Sequence, residues 1–187
     1  IETHVEKPHE SPIFKKYPDV LRNHHAIDFI TDNLRVLSIG VQPENLDEMM
    51  ESELDTHHEE ALATPAAITK MADSLPGFGI VAAVLGVVIT MEKISEPPDV
   101  IGHSVAAALV GTFLGILFCY GLFGPIAAHL EHKIGEEAKY LLAIKTAILS
   151  FTKDMPPQIA VEAARRVLFE DVKPSFSELE AAVRKKP

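Results

Sequence analysis

The sequence is poor in cysteine, and this scarcity excludes structural sites that need two or more cysteines. Among 187 residues only Cys119 occurs, and it lies within an apolar stretch. One thiol forms neither an internal disulfide nor a cysteine-based zinc site. The sequence also lacks the HExxH spacing and a glycine-rich phosphate loop. It shows no constellation typical of nucleophilic catalysis, so we predict neither an enzyme nor a bound cofactor.

Basic residues are scarce in the first part of the chain. The formal net charge is −10, and residues 1–73 contain 6 basic and 15 acidic side chains, against 10 and 9 in residues 131–187. A protein that binds nucleic acid needs a positive surface, so we exclude nucleic acid as a partner. The acidic residues either form an ordinary solvated surface or provide a face that binds a basic partner.

Two long stretches contain no aspartate, glutamate, lysine or arginine. They cover the 18 residues 74–91 and the 31 residues 100–130. A helix of 18 residues is about 27 Å long, close to the roughly 30 Å hydrocarbon core of a bilayer. The second stretch is longer than one bilayer crossing requires, so its helix should extend beyond the membrane on one side. We therefore predict an all-α integral membrane protein whose two spans form a helical hairpin.

The charges that flank the hairpin indicate its orientation. The connection at 92–99 has one lysine and three acidic residues, whereas lysines follow the second span and Lys70 precedes the first. Because loops rich in lysine and arginine stay on the cytoplasmic side of a membrane, both ends of the chain should be cytoplasmic. We predict a cytoplasmic helical segment at 1–73, the hairpin at 74–130 and a second cytoplasmic helical segment at 131–187.

The segment before the hairpin is expected to contain two helices. Apolar residues recur at helical spacing from Val20 to Leu37, and this pattern ends near Gly40. Pro43 suits the first position of a second, very acidic helix.

After the hairpin, the second span is expected to continue as an amphipathic helix to about Lys153, where two prolines follow. A further helix is predicted at 158–169. Ser175 and Glu178 have the spacing of a capping box, which predicts the start of a last short helix.

Both spans contain small residues at regular intervals. The first contains Gly79, Ala82, Ala83 and Gly86, and the second contains a Gly111-x-x-x-Gly115 pattern. Such residues allow helix backbones to approach closely in membranes. Two helices alone offer them little to pack on, so we expect further spans from missing sequence or other copies of the chain.

Neither span carries an acid or a base other than histidine. If the protein conducts ions, a titratable carboxylate must come from a partner helix. Thr112, in mid-span, is the best local residue to meet it, and a hydrogen bond within its own helix is the alternative. Pro125 predicts a kink, which is either a static bend or a hinge.

Histidines occur as the neighbouring pairs His24-His25 and His57-His58. Neighbouring residues of a helix point about 100° apart, so neither pair converges on one ion. We interpret both pairs as parts of solvated helix faces and predict no metal site.

Several segments closely resemble the MotA family of flagellar-motor stator subunits. The third and fourth spans of that family are similar to SLPGFGIVAAVLGVV (74–88) and ALVGTFLGILFCYGLFGPIA (108–127). Its cytoplasmic loop resembles IETHVEKPHESPIFKKYP (1–18), and its C-terminal segment resembles PPQIAVEAARR (156–166) and KPSFSELE (173–180). The family's first two spans are absent and the chain begins at Ile1 rather than Met, so we expect a fragment of a longer protein.

The resemblance implies an assembly in the bacterial inner membrane. In that family, five MotA subunits surround two MotB chains that anchor the unit to peptidoglycan. An aspartate on the MotB span takes up the ion, and MotA passes the motion to the rotor protein FliG. The wider family includes ExbB and TolQ, whose usual layout is three spans with a different loop. The alternatives are therefore an ExbB/TolQ-like energiser subunit or a non-conducting membrane scaffold.

The resemblance also implies roles for particular residues. Pro76 and Pro125 match two prolines near the channel, and Glu2 matches the loop glutamate that meets the rotor. The arginine that usually accompanies this glutamate would lie upstream of Ile1.

We expect Thr112, Ala83 and Tyr120 to line the ion path. Sodium-driven relatives have threonine at the position of Ala83, so alanine here predicts protons as the ion.

Overall fold

The computed structural model describes residues 2–184, with side chains from residue 4 onward, and this part of the chain is helical without any strand. The all-α class is confirmed. The α-helices are α1 (Glu2–Glu6), α2 (Pro18–Arg22), α3 (His24–Ser38), α4 (Pro43–Met91), α5 (Pro98–Phe118), α6 (Gly124–Thr152), α7 (Pro157–Arg166) and α8 (Phe176–Arg184). Short 3-10 turns at Pro8–Glu10 and Phe14–Lys16 follow α1, and a π-helical segment, Cys119–Phe123, joins α5 to α6.

The helices form two compact units. The flanking unit consists of Ile1–Glu59 together with Gly135–Pro187, and the hairpin unit consists of Glu60–Ile134. Helices α4 and α6 each contribute residues to both units.

The core of the flanking unit is built by α3 and by the parts of α4 and α6 that belong to this unit. Each helix contributes apolar side chains that are almost fully buried: Ala26, Phe29, Leu46, Met50, Leu141 and Leu149. Their burial supplies the main favourable free energy for packing these three helices.

The single helix predicted from Val20 to Leu37 is interrupted at Asn23. The side-chain oxygen of Asn23 accepts a hydrogen bond from the backbone N–H of Ala26 at 3.0 Å and so caps α3. Such a cap competes with continuation of the preceding turn. The predicted end of this helix is confirmed, since α3 stops at Ser38 and Gly40 has a φ of +94°, which only glycine adopts without strain.

The end of the chain follows its local signals closely. Helix α6 ends at Thr152, one residue before the predicted limit, whereas α7 ends at Arg166 and is shorter than predicted. The capping box is confirmed. The backbone N–H of Ser175 donates to Glu178 Oε2 at 2.7 Å, and the backbone N–H of Glu178 donates to Ser175 Oγ at 3.3 Å.

Helix α4 joins two elements that the sequence suggested separately. The acidic helix that begins at Pro43 and the first apolar span form one helix of 49 residues, with Pro65 and Pro76 inside it. The segment between the two elements contains no helix-ending glycine, and the helix continues through Pro65 although a proline there leaves one backbone carbonyl without its helical donor.

Two helical stretches are long and apolar enough to cross a membrane: α4, and the stretch Pro98–Thr152. In their most apolar 18-residue windows only 11% and 17% of the residues are buried. A core helix of a soluble protein would bury most of this surface. Large side chains such as Phe78 and Phe113 are instead 70% and 61% exposed, as expected for helices that face lipid or neighbouring spans.

Candidate functional site

The two helices of the hairpin approach each other through glycine. A Cβ atom placed on Gly79 would lie 2.7 Å from the backbone oxygen of Gly111, and one on Gly115 would lie 2.5 Å from the backbone oxygen of Leu75. The predicted close approach is therefore confirmed. These glycines pack between α4 and α5 within the hairpin. The further spans that we expect from the sequence stay a prediction.

Thr112 lies at this close contact. Its side chain is half-buried, and its hydroxyl donates to the backbone oxygen of Gly79 on the facing helix at 3.3 Å. The alternative of a bond within its own helix was therefore wrong. The hydroxyl oxygen keeps lone pairs that can accept a hydrogen bond from another group.

Ala83 belongs to the same contact and is only 9% exposed. Its backbone nitrogen lies 3.8 Å from a Cβ placed on Gly111, and the methyl of Ala82 lies 3.0 Å from that same point. Ala83 thus faces Gly111, the residue before Thr112, at the contact between α4 and α5.

Tyr120 has a different environment. It belongs to the π-helical segment and is 73% exposed. It lies eight residues beyond Thr112, which corresponds to about 12 Å along a helix. Of the three residues predicted to line an ion path, Thr112 and Ala83 lie at the contact between α4 and α5, whereas Tyr120 is exposed.

The π-helical segment lies directly before Pro125 and was not foreseen from the sequence. The backbone N–H of Gly124 donates to the oxygen of Cys119, five residues earlier. Pro125 has no N–H, so the carbonyl of Gly121 loses its usual helical donor. π-helical turns are frequent at functional sites and are one recognised cause of helix bending. The local irregularity falls where the sequence predicted a kink.

The remaining predicted site residues are dispersed. Pro76 is half-buried inside α4, and Pro125 is exposed near the start of α6. Glu2 is the first residue of α1, and its side chain lies outside the described part of the structure.

A charged cluster in the flanking unit was not foreseen from the sequence. Lys145 on α6 is 7% exposed in its side chain, lies 2.7 Å from Asp47 Oδ1 and also pairs with Glu51. Burial alone would lower the pKa of Lys145, but the hydrogen bonds and charges of the two carboxylates outweigh burial and raise its pKa. The lysine is therefore held in its charged form between two acidic residues of α4.

Two further ion pairs lie within α7 and share Glu162. Glu162 accepts hydrogen bonds from the Nε atoms of Arg165 and Arg166 at 2.8 and 2.9 Å. These bonds lower the pKa of Glu162 to about 2, so its carboxylate stays ionised to a lower pH than an ordinary glutamate. Arg165 also donates to the backbone oxygen of Pro174 at 3.0 Å, which ties α7 to the segment before α8.

The chain is similar to proteins of bacterial motility over nearly its whole length. It is 40% identical over 185 residues to Motility protein A of Escherichia coli, and 36% identical over 181 residues to chemotaxis protein LafT of Vibrio parahaemolyticus. These matches include 98% and 96% of this chain but 63% and 64% of the relatives. The chain therefore spans somewhat less than two thirds of the length of these relatives.

Solved structures give the same fold. A MotAB structure from C. jejuni matches with a TM-score of 0.73 at 19% identity. The match covers 93% of this chain and 68% of the C. jejuni chain. The flagellar MotAB stator complex from Bacillus subtilis matches with a TM-score of 0.69 at 26% identity, over 82% of this chain and 58% of the B. subtilis chain. Residues 22–142 match the sequence pattern of the MotA/TolQ/ExbB proton channel family. The chain belongs to the MotA/TolQ/ExbB proton channel family.

Proposed function

We propose that this chain is a MotA-type stator subunit, which converts ion flow across the bacterial inner membrane into torque on the flagellar rotor. The observation that carries the proposal is the 40% identity to Motility protein A of Escherichia coli over 98% of the chain.

The composition of the spans supports a partner that supplies the ion-binding group. Residues 74–91 and 100–130 contain no carboxylate, yet proton relays in membranes commonly use one. We propose that a MotB-type chain with a single span supplies it, and that several copies of this chain, five by family resemblance, surround that partner. The exposed apolar side chains of the hairpin provide surface for lipid, for other copies and for this partner.

We propose protons rather than sodium as the ion. Sodium needs several oxygen ligands in a dehydrated site, whereas a proton needs one carboxylate and a hydrogen-bonded path. The methyl of Ala83 provides no oxygen, and Thr112 already donates its hydrogen to Gly79 while keeping lone pairs to accept another. Thr112, Ala83 and Tyr120 remain the residues that we propose for the ion path, with Pro76 and Pro125 as conformational prolines.

The function is tested by deleting the gene that encodes this chain and restoring it from a plasmid. Deletion should abolish swimming, and the plasmid copy should restore it. An energiser of the ExbB/TolQ type, or a scaffold without a motor role, would leave swimming intact. In the restored strain, swimming speed should stop with a protonophore and persist in sodium-free medium. Speed that follows external sodium and survives the protonophore would refute the proton assignment.

We further propose that the flanking unit is cytoplasmic and meets the rotor protein FliG through charged residues that include Glu2. The unit is rich in acidic residues before the hairpin, and charge complementarity commonly sets the orientation of such contacts.

The proposed orientation predicts the reactivity of a cysteine at Ser95. Ser95 is exposed in the short connection between α4 and α5, and the native Cys119 is buried. Ser95→Cys should react with an impermeant thiol reagent on intact spheroplasts. The matched control is Ser38→Cys, at the exposed last residue of α3. This cysteine should react only after the membrane is opened. The opposite pattern would reverse the proposed topology.

A further inference from the structure

Three side chains that can bind a metal ion converge in the flanking unit. They are His25 on α3, His57 on α4 and Glu137 on α6, and their possible ligand atoms all lie within 4.8 Å of one another. The two imidazole rings stand edge to face, with centroids 4.4 Å apart and an interplanar angle of 69°. His25 is exposed and the other two residues are half-buried, so solvent reaches the cluster.

The distances suit a transition-metal ion after small rotamer changes. Zinc binds imidazole nitrogen at about 2.0–2.1 Å with tetrahedral geometry, which puts neighbouring ligand atoms roughly 3.4 Å apart. Movements of about 1 Å in side chains that are not fully buried would bring the three ligand atoms to that spacing. Two histidines and one glutamate are a known zinc ligand set that leaves a fourth position for water.

The surroundings of the cluster also favour a cation. The cleft beside His25 and His57 is lined by the carboxylates of Asp28 and Glu53. Burial raises the pKa of Glu53, while its hydrogen bond from Asn33 at 3.2 Å opposes that rise. A bound divalent ion would offset the negative charge that collects there.

We propose that His25, His57 and Glu137 bind one divalent transition-metal ion of the zinc class, which links α3, α4 and α6 of the flanking unit. Nitrogen and carboxylate ligands together suit zinc and its neighbours rather than magnesium or calcium, which prefer oxygen alone. The site is independent of the proposed motor function, because it needs only the packing of these three helices.

The sequence predicted no metal site, because neither neighbouring histidine pair can converge on one ion by itself. The side chains of His24 and His25 diverge along one helix, as do those of His57 and His58. The structure instead combines one member from each pair, on different helices, with a carboxylate from a third. This leaves His24 as a matched control that removes an exposed imidazole next to the proposed ligand.

The proposal is tested by titrating Zn²⁺ into the purified full chain in detergent, with any affinity tag removed, by isothermal calorimetry. One ion should bind per chain. His57→Ala and Glu137→Gln should each weaken binding by about tenfold or more, and the His25→Ala/His57→Ala variant should abolish it, whereas His24→Ala should bind like the parent. Co²⁺ in place of Zn²⁺ should give a four- or five-coordinate absorption spectrum that the double variant lacks.

Two results would overturn the site. One is binding by the double variant, with unchanged far-UV circular dichroism, that is as tight as in the parent chain. The other is an equal loss in the His24→Ala control, which would indicate unspecific binding to surface histidines. Because neither measurement uses motility, failure of the stator proposal would leave this test unaffected.

Discussion

Gly79→Ala should destabilise the hairpin, even though alanine is the better helix former. The new Cβ would lie 2.7 Å from the oxygen of Gly111 and 3.0 Å from Cα of Thr112. Both are backbone atoms, so the helices must separate rather than a side chain turn away. Overpacking commonly costs about 1–3 kcal/mol, more than the roughly 1 kcal/mol that alanine gains over glycine in a helix. Separation would also lengthen the hydrogen bond from Thr112.

The chain offers a matched control for this change on the same helix. A Cβ on Gly77 would meet no atom within 4 Å, so Gly77→Ala should leave stability equal or raised. On the second helix, Gly115→Ala should act like Gly79→Ala because its Cβ would lie 2.5 Å from the oxygen of Leu75, and Gly102→Ala should be neutral.

The measurement is the temperature at which half of the purified protein in detergent loses its monodisperse peak in size-exclusion chromatography. The contact variants should melt lower than the parent, and their controls should not. If Gly79→Ala melts at or above Gly77→Ala, the close contact between α4 and α5 does not exist. Under the proposed function, the contact variants should also reduce swimming.

Lys145→Met should destabilise the flanking unit. Methionine fills a similar volume, but the change removes the cation that lies between Asp47 and Glu51. Loss of one partner from a fully buried ion pair costs about 3–5 kcal/mol. Here the carboxylates are 44% and 58% exposed, so water screens part of the repulsion and we expect a cost of about 1–3 kcal/mol.

The measurement is the rate at which a protease cleaves the flanking helices of the purified chain as the temperature is raised. Lys145→Met should be cleaved at lower temperature than the parent, and Lys153→Met, at an exposed lysine, should not. Adding Asp47→Asn and Glu51→Gln to Lys145→Met should recover most of the loss, because no charge is then left without a partner. Equal protection of Lys145→Met and the parent would show that the pair contributes nothing to stability.

The sequence predicted those features of the fold that depend on neighbouring residues. The absence of charge in residues 74–91 and 100–130 marked the two apolar helices, because a helix in hydrocarbon must satisfy its own backbone and carry few charges. Gly40, Pro43 and Ser175 marked helix ends correctly because caps and turns are built within one helical turn. The resemblance of whole segments identified the family for the same reason, since such motifs are contiguous.

The candidate site was predictable only in part. The sequence marked Thr112 and Ala83 as important but not their shared position at the contact between α4 and α5. Tyr120 is exposed on the hairpin, away from the contact between α4 and α5, and its place on the ion path stays a prediction. Small residues indicate that a helix packs closely, but not which partner it packs against.

What the sequence alone determined is the helical class, the two apolar spans, most of the helix ends and the family. Only the tertiary structure decided which side chains meet across the chain. Thr112 bonds to a residue 33 positions away, and Lys145 pairs with one 94 positions away. His25 and His57 meet in the same way, because α3 and α4 pack around one core. Periodicity gives the face that a helix buries, whereas the register between two faces is fixed by how all their side chains interlock.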